Sequence, residues 1–179
     1  MLRLNITGEE FFDETTNRFI AKTVAVVDLE HSLAALSKWE SLWEKPFLGD
    51  NEKTSEETMA YIMTMVVTPD ISPDVFSYLS DDNVREINRY IGAKASATWF
   101  SDTPESSSRE TVTAELIYYW MIALSIPKEC ETWHLNRLLM LIRVMNEKNK
   151  PEKKLSKSEI ASRNRDLNEK RKAMYATNG

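Results

Sequence analysis

The chain has 179 residues, 42% of them hydrophobic and 28% charged, and carries a formal net charge of −5. That is enough apolar material for one packed domain, or a domain with an arm, and it excludes wholesale disorder. Four glycines, six prolines and the single Cys130 exclude collagen, a many-turned β-sandwich, an internal disulfide framework and a multi-cysteine zinc site.

The amino-terminal part reads as strand. Leu2, Leu4 and Ile6 alternate with Arg3 and Asn5, the period of a half-buried strand. Thr7-Gly8-Glu9-Glu10 is a turn signal. Residues 19–29 (FIAKTVAVVDL) are rich in β-branched side chains and predict a second strand. Two strands alone are marginal in water, so they must pack on helices or pair with another chain. The amino terminus turns acidic too soon for a secretory signal. The longest apolar run, 116–124, has nine residues where a membrane span needs about 20, so a soluble protein is expected.

From His31 the period changes. Leu33, Leu36, Trp39 and Trp43 predict an amphipathic helix ended by Pro46, and Gly49-Asp50 turns the chain. Thr54 to Glu57 form a capping box ahead of Met59, Ile62, Met63 and Val66, and Pro69 stops that helix. Ser72-Pro73 starts a short helix over 74–79. Ser80 caps another with Val84, Ile87 and Ile91 inward, and Gly92 is its stop. Residues 101–108 (SDTPESSS) are a loop. A second capping box from Ser107 opens the most hydrophobic helix, about 109–125, where Tyr118, Tyr119 and Trp120 point around the axis and Pro127 follows. Leu135, Leu138, Leu139, Ile142 and Met145 give the cleanest stripe, on a helix over about 129–148. A third box from Ser156 opens a last helix to about Tyr175. Its large apolar residues, Ile160, Leu167 and Met174, recur every seventh position, too thin a seam for a core helix.

Charge divides the chain. Residues 148–172 hold ten bases and four acids, net +6, whereas 1–147 hold 13 bases and 24 acids, net −11. The expected organisation is an acidic globular domain over 1–150 and a basic helical arm over 151–179. The arm suits an anionic surface or the acidic body of a neighbouring copy, or is simply a solvated helix. One aromatic residue in it, Tyr175, offers no stacking platform for nucleic acid.

Little catalytic material is present. Gly8, Gly49, Gly92 and Gly179 are too dispersed for a phosphate loop. Cys130 and His134 stand at i and i+4 on a predicted helix. They are either a nucleophile pair lacking a visible third member or a core thiol beside a packed imidazole. His31 sits at a strand-to-helix junction, where a local hydrogen bond suits it better than a ligand role. The acidic pairs Glu9-Glu10, Glu56-Glu57 and Asp81-Asp82 lie beside turns or helix starts, where the helix dipole favours them. No catalytic, cofactor or metal residue is assigned.

The aromatic and arm residues are the better functional candidates, because interfaces are enriched in aromatic anchors, although core packing is the ordinary role of any one Trp. The candidate partner contacts are Trp39 and Trp43 on one helical face, Trp99 and Phe100 before the serine loop, the seam Ile160, Leu167 and Met174, and Lys170 and Arg171 beside it.

Residues 29–49 (LEHSLAALSKWESLWEKPFLG), 54–70 (TSEETMAYIMTMVVTPD) and 133–172 (WHLNRLLMLIRVMNEKNKPEKKLSKSEIASRNRDLNEKRK) together resemble the tail assembly chaperones of long-tailed bacteriophages. The likeness spans most of the chain and brings no active residue with it. It implies a non-enzymatic factor of the host cytoplasm that coats the tape measure protein until tube subunits polymerise around it, and that is absent from the finished particle. The tail tube protein and a longer frameshifted form are the further partners it implies; the −11/+6 charge split adds self-association, and the residues themselves point to neither a membrane nor a nucleic acid. The alternative is a structural protein of the tail or head–tail connection. The expected fold is mostly helical α+β: an amino-terminal β-hairpin on about six helices, the last one projecting.

Overall fold

The structure is a computed structural model, and it describes residues 1–15, 17–49, 52–98, 100, 111–150 and 157–175. The fold is α+β and mostly helical. An antiparallel hairpin of β1 (Leu2–Asp13) and β2 (Arg18–Leu29) precedes α1 (Leu33–Trp43), α2 (Ser55–Thr64), a 3-10 turn (Pro73–Tyr78), α3 (Asp81–Ile91), α4 (Ala114–Ala123), a second 3-10 turn (Lys128–Thr132), α5 (Leu135–Asn149) and α6 (Lys157–Tyr175). The chain divides into two compact units, Met1–Met145 and Asn146–Gly179.

The hairpin is longer than the sequence suggests. Thr7 to Glu10, expected as a turn, lie inside β1, where the pairing with β2 shifts register between Ile6 and Glu10. A bulge absorbs the turn-forming residues without ending the strand. The chain reverses between β1 and β2, where Asn17 takes a left-handed φ of 53° and Asp13 Oδ1 accepts from Thr15 N–H at 3.0 Å. Leu4, Ile6, Val27 and Leu29 at the hairpin base are fully buried against the helices. Each such side chain contributes about 1.5–3 kcal/mol by burial. Farther out, Phe12 and Phe19 are exposed and meet edge to face at 5.2 Å.

Helix starts follow local chemistry. Ser32 caps α1 through Ala35 N–H at 3.2 Å, and Thr54 and Glu57 form the expected box on α2. Ser72 precedes Pro73 at the first 3-10 turn, and Ser80 and Asn83 box α3. α1 ends before Pro46, at Glu44, which turns left-handed with φ 51°. α4 begins at Ala114 behind a Thr113 cap, five residues after the expected start. Its predicted box, Ser107 to Glu110, and the Ser156 expected to open α6, lie outside the described residues.

The predicted helix over 129–148 is two elements. Residues 128–132 form a 3-10 turn, Trp133 is extended (ψ 160°), and α5 begins at Leu135. The break occurs because Ser32 and His134 make an antiparallel bridge, with Leu135 N–H donating to His31 C=O at 2.7 Å. A backbone pairing with the β2–α1 junction outweighs helical continuity there.

The core of the first unit gathers Leu33, Leu36, Trp39, Ile62, Met65, Ile87, Ile117, Leu135, Leu138 and Ile142 around the hairpin base. One buried carboxylate ties distant loops to it. Glu40 accepts from Phe47 N–H at 2.8 Å through Oε1 and from Ala114 N–H at 2.6 Å through Oε2. It thereby holds the α1–α2 connection and the start of α4 together. Glu40→Ala would leave the buried Ala114 N–H and the part-buried Phe47 N–H without their acceptor. We expect a loss of about 2–4 kcal/mol in urea unfolding. A loss below about 1 kcal/mol would show that water replaces the carboxylate.

Candidate interaction surface

The surface with the clearest construction lies between α1 and α2. On α1, Ala34, Lys38, Ser41 and Leu42 share one side at helical spacing; on α2, Ala60, Met63 and Thr64 do the same. Two adjoining hollows of about 530 and 490 Å³ run along this seam and share Lys38, Thr64 and Val66. A third of about 260 Å³ continues past Met63 and Val66 to Asp70, Ile71 and Phe76. Leu42 is 70% exposed, Val67 56% and Met63 38%, whereas Ala35 and Met65 are buried. The groove therefore has a floor that includes small residues, and long apolar side chains on its rims.

Its walls are fixed by buried groups behind them. Trp39, buried behind the groove-lining residues of α1, donates its indole N–H to Glu57 C=O at 2.8 Å, bonding α1 to the first turn of α2. Phe47 lies edge-on to Trp39 at 5.0 Å and stacks on Tyr61 at 3.9 Å. The carboxylate of Glu57 meets Lys45 and Thr54, which hold its pKa below the usual range. Beyond α2, residues 65–68 add to the edge of β2: Glu30 N–H donates to Met65 C=O at 2.8 Å and Val67 N–H to Asp28 C=O at 2.9 Å.

The candidate contacts fall out unevenly. Trp39 is 1% exposed and belongs to the core, so its place on the contact surface is corrected. Trp43 is half-buried beside Trp39 at 6.1 Å, with its indole N–H buried and unpartnered among the described residues. Phe100 is half-buried under the Arg143 guanidinium at 4.7 Å, and Trp99 lies outside the described residues. On α6, Leu167, Lys170, Arg171 and Met174 are exposed, while the side chain of Ile160 lies outside what is described. The groove itself escaped sequence reasoning, because Leu42 and Met63 differ from core residues only by where the helices meet. The signal that could have found it is Leu42, which departs from the 33, 36, 39, 43 stripe of α1.

Cys130 and His134 are not neighbours on one helix, since the chain breaks between them. Cys130 is buried. His134 bonds backbone through both nitrogens, Nε2 to Tyr90 C=O at 3.0 Å and Nδ1 from Asn136 N–H at 3.3 Å. His31 is buried too, its Nδ1 at 2.5 Å from the Tyr61 hydroxyl and its ring 5.1 Å from His134. Tyr90 closes the cluster, donating to Glu30, which also pairs with the terminal amine at 2.9 Å. Among the described residues no group of three or more His, Cys, Asp or Glu side chains could hold a metal ion, and no helix is long and apolar enough to cross a membrane.

No family model, curated protein or solved structure matches the chain.

The His31 cluster makes stability depend on pH. Burial, then the neighbouring His134, lowers the His31 pKa from 6.5 to about 4. Below pH about 6.5 the unfolded chain gains a proton that the folded chain refuses, so stability falls as pH drops toward about 4, by up to about 3 kcal/mol. Between pH about 7.5 and about 4.5, wild type should lose about 2 kcal/mol more than His31→Gln in urea unfolding. Equal losses would mean that His31 is protonated in the fold without penalty.

Proposed function

We propose that this chain is a non-enzymatic assembly chaperone of a long-tailed bacteriophage, which holds the tape measure protein in the host cytoplasm until tube subunits replace it. The observation that carries the reading is the rimmed apolar groove between α1 and α2. Two of the three stretches that resemble the tail assembly chaperones, 29–49 and 54–70, fall on the elements that build it. A holder of helical clients needs exposed apolar surface on a rigid frame. Met63 on the rim suits it, because the flexible thioether adapts to varied apolar partners. The basic arm supplies a second handle: α6 exposes Leu167, Met174 and Tyr175 together with Lys170, Arg171 and Lys172. It reaches for an acidic stretch of the client or the acidic body of another copy. The tail tube protein and a longer frameshifted form are partners on the same reading, and the chain leaves before the particle is finished.

Co-expression tests this. Tape measure protein made alone should aggregate, and made with this chain it should stay soluble and co-purify. A tape measure protein equally soluble alone would sink the proposal, as would this chain at structural stoichiometry in purified particles. Removing residues 156–179 should weaken client capture several-fold at low salt and flatten its salt dependence. Unchanged capture and unchanged self-association would leave the arm without a role.

A further inference from the structure

The groove carries charge as well as apolar surface, and its charges are few and placed. Lys38 lines both of the larger hollows, amid Ala34, Leu42, Met63 and Val66. Among the described residues no carboxylate pairs with it. Glu30, the acid on the wall of one hollow, is already engaged by the terminal amine and by Tyr90. At the other end Asp70 lines the smallest hollow, on a backbone turned left-handed at φ 56°. An apolar trough with an unneutralised ammonium over its middle is complementary to an apolar stripe with a carboxylate at its edge.

We infer that the groove binds an amphipathic helix that sets its apolar i, i+3, i+4, i+7 face between Leu42 and Met63 and a carboxylate against Lys38. A helix fits better than an extended strand because the walls of the larger hollow are α1 and α2, with the small residues Ser41, Ala60 and Thr64 among its lining, against which the ridge of a third helix can settle. The α6 helix of a second copy is a poorer occupant. Its exposed seam is flanked by Lys170 and Arg171, which would bring like charge against Lys38. The inference rests on the chaperone reading and deepens it: it names where the client sits and which client helices are chosen, namely those with an acid flanking the apolar stripe.

The test uses the full chain and a fluorescein-labelled synthetic helical peptide with leucines at i, i+3, i+4 and i+7 and one glutamate beside that stripe. A twin carries lysine in place of the glutamate. Wild type should bind the glutamate peptide about fivefold more tightly than its twin, the scale that separates one exposed ion pair from one like-charge clash. Lys38→Glu should reverse that order. Leu42→Asp with Met63→Asp should abolish binding of both peptides. All three positions are exposed, so the variants should melt like wild type. A peptide order indifferent to Lys38→Glu, or binding that survives the double aspartate variant, overturns the inference. So does a wild-type dimer that the double variant dissociates, since a second copy would then be the occupant. Groove variants that still capture tape measure protein would remove the groove and leave the chaperone reading intact. Peptide selectivity without any tape measure capture would do the reverse.

Discussion

The fold depends on how one short segment, residues 28–32, satisfies its backbone. The chain leaves β2 here inside the core, where an unpaired N–H or C=O costs as much as a lost hydrogen bond. Several of its polar groups find partners from distant parts of the sequence. Asp28 C=O and Glu30 N–H pair with residues 65–68, which follow α2. His31 C=O takes the first N–H of α5, and Ser32 bridges to His134 while its hydroxyl caps α1. Five consecutive residues thus fix the hairpin, α1, the exit of α2 and the entry of α5. The His31, Tyr61, His134 and Tyr90 rings stand around the same point. The segments that meet at that knot are joined by backbone bonds, and the four rings pack around them.

That knot explains why an apolar groove can persist at the surface. Left to itself, exposed Leu42 and Met63 would favour collapse of α1 onto α2. Both helices are instead tied in place. Trp39 bonds to Glu57 at one end of α2, and residues 65–68 are tied to β2 at the other. Glu40 fastens the connection between the helices to the start of α4. The placement of α1 and α2 is thus set by these ties, and Leu42 and Met63 on the rims stay exposed.

Much of this is legible in the residues, and the rest is not for identifiable reasons. Caps at Thr54, Ser72 and Ser80 depend on neighbours within three residues, so sequence reports them well. The stripes that bury Leu33, Leu36 and Trp39, or Leu135, Leu138 and Ile142, are also local periodicities. Thr7 to Glu10 mislead because turn-forming residues also serve a bulge, and only the partner strand decides between the two. The break before Leu135 depends on Ser32, about a hundred residues away, and no local pattern could reveal it. The same holds for the groove. Trp39 and Trp43 stand out in the sequence as large aromatics, yet exposure is set by which sides of α1 and α2 meet the core. The smaller Leu42 and Lys38 are the ones left outside.

The proposed role, holding a client that must later be released, constrains the surface. A client sealed in a deep dry pocket would be released too slowly, since affinity among related complexes is governed mostly by dissociation. A shallow groove with flexible rims gives modest affinity at each site, because ordering Met63 and Lys38 costs side-chain entropy that offsets part of the burial. Many weak sites along a repetitive helical client would still hold it firmly, since linked contacts raise occupancy without strengthening any one of them. Each would yield in turn to a growing edge that buries more surface. On the proposed role, a frame tied together at residues 28–32 would keep the site in place without a client, and a shallow groove would keep the client replaceable.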